Sequence, residues 1–191
     1  MDLMVDRLSH GPVSLEFLAD QHREELRAAA NADPDIWSIY PYSMADPHFD
    51  DWWSQSLARQ GVERLRFAVC LDGRGVGTTS YLNIEAAHAA VEVGGTYYAP
   101  DARGGIVNPA AKLMMLGHAF DRGARRVGFK VDAINARSRA AMLKLGAAQE
   151  GVLRQNSVTW TGRVRDTVVF SVLRDEWPDV ERGLKERLRR N

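Results

Sequence analysis

The alternation of apolar and polar positions predicts several short strands near the middle of the chain. Three strand-like runs lie close together, at Arg66 to Leu71, Val76 to Ile84 and Ala89 to Tyr98. The sequence Asp72-Gly73-Arg74-Gly75 between the first two runs is typical of a tight turn. Because short connections join antiparallel neighbours, these runs are predicted to form an antiparallel meander.

Two helices are predicted before this meander. A strand at Val13 to Leu18 is followed by a helical segment that continues to about Ala30. The second helix is expected to have Asp46 as its N-cap, Pro47 at its first position and Gly61 at its end, because these residue types favour those positions.

Beyond the meander, helical and strand patterns follow one another. An apolar helix is predicted from Pro109 to about Asp121, and residues 126–132 alternate between polar and apolar as in a strand. Asn135 is expected to cap a helix that ends at Gly146. The last elements are strands near Gly151 to Trp160 and Asp166 to Leu173, and a helix with Trp177, Val180, Leu184 and Leu188 on one face.

This order of elements predicts a mixed sheet flanked by helices, an α/β or α+β protein with a single domain over residues 1–191. A chain of 191 residues with 45% apolar residues is long enough for one hydrophobic core. The first strand is not followed by a GxGxxG sequence, and the chain has no Walker lysine motif. Dinucleotide-binding and P-loop folds are therefore excluded.

The charge balance and the cysteine content limit the partners and the cellular compartment that are expected for this protein. Twenty-five basic residues balance twenty-five acidic ones, so neither nucleic acid nor a membrane is an expected partner. Residues 1–11 lack a basic and apolar leader pattern, and the single Cys70 cannot form an intrachain disulfide, which favours the cytoplasm. The five histidines lack the spacing of metal ligands, so no metal site is expected.

The most informative stretch runs from Glu92 to Pro109. Gly94 and Gly95 interrupt a strand pattern, which is typical of a bulge or of a close approach by a ligand. The loop Arg103 to Val107 leads into a helix for which Asn108 is the expected N-cap. Backbone N–H groups, a helix N-terminus and an arginine would then converge on one point, which suits a pyrophosphate. An ordinary glycine-rich turn into a capped helix is the alternative.

This loop resembles the pyrophosphate loop of the GNAT family of N-acetyltransferases. The family pattern reads Arg/Gln, two residues, Gly, one residue and Gly/Ala/Asn before a long helix. Arg103 and Asn108 match its ends, whereas Ile106 stands in place of its first glycine.

A second stretch is similar to the family's Asn-x-x-Ser/Ala-x-x-x-Tyr-x-x-x-Gly-Phe helix. Asn135, Ser138 and Gly146 match this pattern, while Met142 and Ala147 replace the tyrosine and the phenylalanine. The predicted order of elements is also that of the family, so the resemblance covers nearly the whole chain.

Three further runs look most like the ribosomal-protein N-terminal acetyltransferases, the RimJ and RimL branch: Glu92-x-Gly94-Gly95-Thr96, Asn108-Pro-Ala-Ala-Lys112 and Arg163-Val-Arg-Asp166. The resemblance implies a mixed, mostly antiparallel sheet, acetyl-CoA as co-substrate, and a small-molecule amine or a protein N-terminus as acceptor. A homodimer is compatible with it. The coenzyme A site that it implies contains Tyr97, Tyr98, Arg103, Gly104, Gly105, Ile106, Val107, Asn108 and Asn135.

Acetyl transfer requires a neutral amine, whereas a free α-amine has a pKa of about 8, so a group must accept its proton. Glu92 is the expected general base; a strand carboxylate that faces solvent or pairs with an arginine is the alternative.

The resemblance assigns Ser138 to the departing thiolate, and a hydrogen bond back to the helix backbone is its alternative role. Trp37 and Tyr40 are expected to contact the acceptor.

Two functions from different classes stay open. The first is an acetyl-CoA-dependent N-acetyltransferase, and the second is a non-catalytic acyl-CoA-binding or regulatory module of the same fold, which the departures at Ile106 and Met142 favour. An enzyme that modifies polyamines or antibiotics would differ only in its acceptor. Five acidic residues near the aromatic segment would suit such a cationic acceptor: Asp33, Asp35, Asp46, Asp50 and Asp51.

Overall fold

Eight strands form one continuous sheet in the computed structural model, which describes residues 1–61 and 63–190. Their order in the sheet is β1-β2-β3-β4-β5-β6-β8-β7. All neighbours are antiparallel except β5 and β6, which are parallel. The strands are β1 (Arg7–His10), β2 (Val13–Phe17), β3 (Arg64–Leu71), β4 (Arg74–Glu85), β5 (Ala90–Tyr98), β6 (Arg126–Asp132), β7 (Ala148–Val158) and β8 (Val164–Leu173).

Five α-helices flank this sheet within the same described residues. They are α1 (Arg23–Asn31), α2 (Phe49–Ala58), α3 (Val107–Asp121), α4 (Ala136–Leu145) and α5 (Trp177–Arg189). None of them combines the length and the apolar character that crossing a bilayer would demand.

The hydrophobic core has two layers, one on each face of the sheet. Because side chains alternate along a strand, Phe67 and Val69 of β3 join the cluster built around α3, while Ala68 and Cys70 join the cluster built around α1 and α2. All four residues are at most 1% exposed. This two-sided burial explains why β3 has an almost continuous apolar sequence.

The parallel strands β5 and β6 separate soon after they meet. Their pairing covers only Ala90–Glu92 opposite Arg126–Gly128, although both strands continue further. A bulge in β5 accompanies the separation, since Thr78 of β4 pairs with Tyr97 and Ser80 pairs with Gly94. Beyond the paired residues, the two strands border a wedge-shaped opening in the sheet.

The predicted mixed sheet and the antiparallel meander are confirmed. The short strand β1, which pairs with β2, was not among the predicted elements. Asn135 caps α4 by accepting a hydrogen bond from Ser138 N at 2.9 Å. Gly146 ends that helix in the left-handed region, with φ of 91°.

Two predicted helix caps are wrong. The helix expected to begin at Asp46 begins at Phe49, and the Asp46 carboxylate accepts a hydrogen bond from Asn31 Nδ2 at 2.8 Å instead. Asn108 lies inside the first turn of α3, because that helix begins at Val107. In both cases the polar side chain serves a tertiary contact or lies within the helix rather than before it.

Gly77 of β4 is predicted to be essential for the sheet. A Cβ at this position would lie 2.0 Å from the Tyr97 carbonyl oxygen and 3.0 Å from Tyr98 Cα, both backbone atoms of β5. Gly77→Ala should therefore lower the free energy of unfolding by at least about 1–3 kcal/mol, the range for an overpacked interior. Urea denaturation monitored by circular dichroism measures the change.

Gly151→Ala in β7 is the matched control. A Cβ there meets no atom within 4 Å and the backbone is not in the left-handed region, so stability should stay constant or rise slightly. Equal stability of the two variants would show that β4 and β5 can separate at Gly77 without cost.

Candidate active site

A cleft of about 740 Å³ occupies the opening between β5 and β6. Its walls also include the loop before α3 and the first turn of α4. Ten of the sequence-predicted site residues line it: Tyr40, Glu92, Tyr97, Tyr98, Arg103, Gly104, Gly105, Asn108, Asn135 and Ser138. Motifs that are far apart in the sequence therefore meet in one cavity.

Trp37 does not line this cleft, and its expected contact with the acceptor is wrong. Its side chain is fully buried, its Nε1 donates a hydrogen bond to the Ala30 carbonyl at 3.0 Å, and its ring packs 4.5 Å from the Tyr97 ring. Tyr40 covers it from the cleft side, with ring centroids 5.0 Å apart. The large indole thus serves the core and supports the aromatic wall.

Tyr40 is fixed by the bulged strand. Its hydroxyl donates a hydrogen bond to the Thr96 carbonyl at 2.9 Å. Burial raises the pKa of Tyr40, so the phenol stays protonated at neutral pH. Its role in the cleft is therefore that of a neutral, apolar wall.

Glu92 is the last residue of β5 that pairs with β6, where it lies opposite Gly128. One carboxylate oxygen, Oε2, accepts hydrogen bonds from Lys130 Nζ and Asn83 Nδ2, both at 2.9 Å. The other oxygen, Oε1, lies 3.5 Å from the position that a Cβ on Gly94 would occupy. The side chain is only 14% exposed. Glu92 is thus neither a solvent-facing carboxylate nor the partner of an arginine, because its counter-ion is a lysine.

Ser138 lies in the first turn of α4. Its backbone N–H is used by the Asn135 cap, whereas its Oγ makes no hydrogen bond to the carbonyl four positions earlier within the described part of the chain. The hydroxyl remains available to a ligand in the cleft. The alternative role of a simple back-bonded helix serine finds no support in this geometry.

Arg103 joins the loop before α3 to two neighbours. Its Nη1 forms an ion pair with Asp33 Oδ2 at 2.6 Å, and its Nε donates a hydrogen bond to the Tyr98 carbonyl at 2.7 Å. Its Nη2 is buried without a hydrogen-bond partner among the described residues. The arginine therefore holds the loop in place and keeps one donor nitrogen for a ligand.

The rest of that loop presents backbone rather than side chains. Gly104 has φ of 81°, a conformation that side chains rarely adopt, and a Cβ on Gly105 would meet no atom within 4 Å. Val107 is buried in the core and Ile106 packs against it, so neither side chain lines the cleft. Any contact of these two residues with a ligand must come from their N–H groups at the helix N-terminus.

Positive charge dominates the cleft. Of the residues that the structure describes, two acidic ones line it, Glu92 and Asp132. Asp132 is paired with Arg163 at 2.5 Å and with Arg165 at 3.6 Å. Within residues 1–61 and 63–190, eight basic residues line it: Arg64, Arg103, Lys112, Lys130, Arg137, Lys144, Arg165 and Arg187. Such a surface favours a ligand with several negative charges.

The acidic residues that would suit a cationic acceptor are largely paired with arginines. Asp33 binds Arg103, and both Asp46 and Asp50 form ion pairs with Arg27. None of the five lines the cleft. The structure therefore gives no support to a strongly cationic acceptor.

Lys112 is a cleft residue to which sequence reasoning gave no role. It is 4% exposed, and its Nζ lies 5.3 Å from the centroid of the Phe129 ring. Burial lowers the pKa of Lys112 to about 8. A lysine inside the otherwise apolar run from Pro109 to Leu116 was the available signal.

One group of potential metal ligands occurs among the described residues, outside the cleft. Atoms of Glu16, His22 and Cys70 lie within 4.8 Å of one another. His22 Nδ1 accepts the Ala19 N–H at 3.2 Å, so Nε2 carries the proton and donates to Glu16 Oε2 at 3.2 Å. Burial raises the pKa of Cys70 to about 11. The three side chains are thus explained as a hydrogen-bonded pair beside a buried thiol.

The splayed parallel strands, the cationic cleft and the glycine loop before a long helix together form a site whose charge and shape suit an anionic ligand between two strands. The chain matches the acetyltransferase (GNAT) domain over residues 13–148. It therefore belongs to the GNAT family of acetyltransferases.

Solved structures give the same result. A T. thermophilus protein classed with the acetyltransferases is 34% identical, with a TM-score of 0.89 over 98% of this chain and 100% of its own. A GCN5-related N-acetyltransferase from Brucella melitensis is 28% identical, with a TM-score of 0.88 over 95% of this chain and 85% of its own.

Mycobacterium smegmatis RimJ, solved in complex with CoA-disulfide, is 23% identical and shares the fold, with a TM-score of 0.76 over 91% of this chain and 88% of its own. No curated protein matches the sequence. RimL, at 16% identity and a TM-score of 0.78, likewise shares the fold, so the likeness to RimJ and RimL is one of fold.

Removing the buried charge of Lys112 should stabilise the protein at neutral pH. A pKa lowered from 10.5 to about 8 means that burying the ammonium costs about 3 kcal/mol below pH 8. Lys112→Met should raise the free energy of unfolding at pH 7 by up to about this amount. Because only the unfolded chain stays protonated between these two pKa values, the advantage should shrink as pH rises from 8 to 10.5.

Urea denaturation at about pH 7 and about pH 10 measures both effects. Lys144→Met, a change at an exposed lysine of the same cleft, should show neither. A Lys112→Met variant that is less stable than the native protein at neutral pH would contradict the assignment of an energetically costly buried charge.

Proposed function

We propose that the protein transfers the acetyl group of acetyl-CoA to a primary amine by direct attack within a ternary complex. The observation that carries this proposal is the position of Glu92, a nearly buried carboxylate at the point where β5 and β6 separate. A base at this point would face an amine that reaches the cleft from the side of α1 and α2.

Coenzyme A fits the cleft by charge and by shape. The basic lining complements its phosphates, and the first turn of α3 offers N–H groups beside the free Nη2 of Arg103. Asn108 accepts a hydrogen bond from the Tyr98 hydroxyl at 3.4 Å, which places a polar edge at the same helix terminus. The pantetheine arm would enter the opening between the two strands.

The reaction balances with the residues present. The amine nitrogen attacks the thioester carbonyl carbon, a C–N bond forms, and the C–S bond breaks to release coenzyme A. Glu92 would accept the amine proton directly or through water, while Lys130 and Asn83 hold its other oxygen. The Ser138 hydroxyl would donate a hydrogen bond to the departing thiolate. The thiolate then takes up a proton from Glu92 through water, so the products are an N-acetyl amine and a free thiol, and Glu92 is again a carboxylate.

Either a small-molecule amine or a protein N-terminus satisfies this chemistry. RimL from the structural comparison is described as a ribosomal L7/L12 alpha-N-protein acetyltransferase, and at 16% identity it shares only the fold with this chain. A homodimer, a cytoplasmic location and the absence of a metal stay predictions.

Turnover and binding must be measured together. Thiol release from acetyl-CoA in the presence of peptides and small amines tests the transfer, and calorimetry with acetyl-CoA tests the cleft. Binding with release of thiol that depends on the acceptor supports the enzyme. Binding without turnover for any acceptor would instead establish the acyl-CoA-binding module.

Glu92→Gln should remove the basicity of this side chain while keeping its shape. The amide can still accept hydrogen bonds from Lys130 and Asn83, so acetyl-CoA affinity should persist, while the rate should fall by about 10²–10⁴, the usual contribution of a general base. Steady-state thiol release at saturating acetyl-CoA measures kcat. Glu85→Gln, the same change at an exposed strand glutamate, should have no effect. A Glu92→Gln rate within a factor of a few of the native rate would remove Glu92 from the mechanism.

Ser138→Ala should lower kcat with little change in the affinity for acetyl-CoA. The hydrogen bond would form mainly with the thiolate that develops in the transition state, and its loss should cost about tenfold in rate. Calorimetry and kinetics on the same preparation separate the two quantities. Ser54→Ala, at an exposed position of α2, is the control. Weaker binding at an unchanged kcat would make Ser138 a binding residue instead.

A further inference from the structure

A second cavity of about 200 Å³ lies beside the main cleft and contains buried hydrogen-bond donors without acceptors. Arg66 is 1% exposed, and its Nε and Nη1 make no hydrogen bond within the described residues. Arg64 Nε and Trp52 Nε1 are buried and unpartnered in the same part of the chain. The lining consists of Tyr42, Trp52, Gln55, Ser56, Arg59, Arg64 and Arg66. These donors share a need for an acceptor that the described residues do not supply.

The charge of Arg66 is also uncompensated. Its guanidinium stacks on the Trp52 ring at 4.8 Å and lies 5.9 Å from the Tyr42 ring. Among the described residues, no carboxylate forms an ion pair with Arg66 or Arg64. Burial, reinforced by the like charge of Arg64, lowers the pKa of Arg66. A guanidinium still cannot lose its proton at neutral pH, so a buried arginine without a carboxylate calls for an external anion.

The sheet places these arginines on the same face as Glu92. Across β3, β4 and β5, Arg64 is in register with Leu82 and Glu92, and residues directly opposite one another point to the same side. Two strand spacings separate Glu92 from Arg64, or about 10 Å between backbones. Because both side chains are long, a small molecule can reach the two groups at once.

The neighbouring row of the sheet continues this surface. Arg66 is in register with Ser80 and Gly94. The Leu82 side chain lies over Gly94, because a Cβ on Gly94 would be 2.9 Å from Leu82 Cδ1, so Leu82 borders the way from Arg66 to Glu92. A Cβ on Gly95 would lie 3.3 Å from the Tyr42 hydroxyl and 3.4 Å from Ser80 Oγ. Tyr42 and Arg64 line both the main cleft and the second cavity. The two cavities therefore adjoin along the acceptor side.

We propose that the acceptor is a primary amine that carries a carboxylate a few bonds away, and that Arg66 and Arg64 bind this carboxylate. The proposal rests on the proposed function, because it places the acceptor amine at Glu92. A planar guanidinium fork matches a carboxylate in two hydrogen bonds, and the buried Trp52 N–H adds a third donor. Amino acids are the class of acceptor that this arrangement selects.

Matched acceptors test this proposal. The initial rates with 4-aminobutanoate and 4-aminobutanamide, and with phenylalanine and phenylalaninamide, give kcat/KM for each member of a pair. The native protein should prefer the carboxylate by about 10- to 100-fold, the range for a hydrogen-bonded charge. The preference should fall to about 1 in Arg66→Met and in Arg64→Gln, whereas Arg74→Gln, at an exposed residue outside both cavities, should retain it.

The outcomes separate the two proposals. Acetylation of the amides without any preference for the carboxylates, or a preference that both variants retain, would overturn the carboxylate subsite and leave the enzyme intact. If Arg66→Met does not fold, Arg64→Gln gives the same comparison. A stronger preference for 3-aminopropylphosphonate than for 4-aminobutanoate would overturn the choice of carboxylate over phosphonate.

Direct binding keeps the subsite testable if no acceptor is acetylated. Calorimetry with 4-aminobutanoate and acetyl-CoA-loaded protein should then show binding that Arg64→Gln weakens by about tenfold or more. Equal binding of 4-aminobutanoate to the native and variant proteins would overturn the subsite by itself.

Discussion

The separation of β5 from β6 is the constraint on which the site depends. Parallel strands normally pair along their whole length, yet here the pairing stops at Glu92 and Gly128. The bulge at Gly94 and Gly95 turns β5 away from its neighbour, and Gly95 accepts φ of 58° at little cost. The backbone groups and side chains of the two diverging edges then become a lining for a ligand. Without this defect in the sheet, no cleft would exist between the strands.

Buried positive charge without a partner carboxylate is the second feature that shapes the site. Lys112 and Arg66 are both almost completely buried without a carboxylate partner among the described residues, one in the main cleft and one beside it. A fold that is only marginally stable retains such groups at an energetic cost, and an anionic ligand beside them would remove part of that cost. By contrast, Asp132 and Glu92 are held by cations of the chain itself. The carboxylates of the cleft are therefore already neutralised by the chain, whereas Lys112 and Arg66 leave positive charge for a ligand anion.

The candidate site shows where residue-by-residue reasoning succeeds and where it stops. Glu92, Asn135 and Ser138 were found because a motif gives both the residue type and its spacing. Arg66 lies in a strand with no recognisable motif, and its importance arises only from the strands and the helix that bury it. Trp37 was predicted to contact the acceptor but is fully buried. The sequence does not distinguish an aromatic residue that lines a substrate channel from one that packs behind its wall.

Local sequence patterns predict the order of the elements, the family and the residue types of the site, because periodicity, turn residues and helix caps act over short distances. They place Asn135 at the start of α4 and the two glycines at a break in β5. Three features become visible only in the folded chain: Arg103 binds Asp33, Glu92 is paired with Lys130, and Arg66 lies on the same face of the sheet as Glu92. These contacts join residues far apart in the chain, and their partners depend on strand register and burial, which no local pattern encodes.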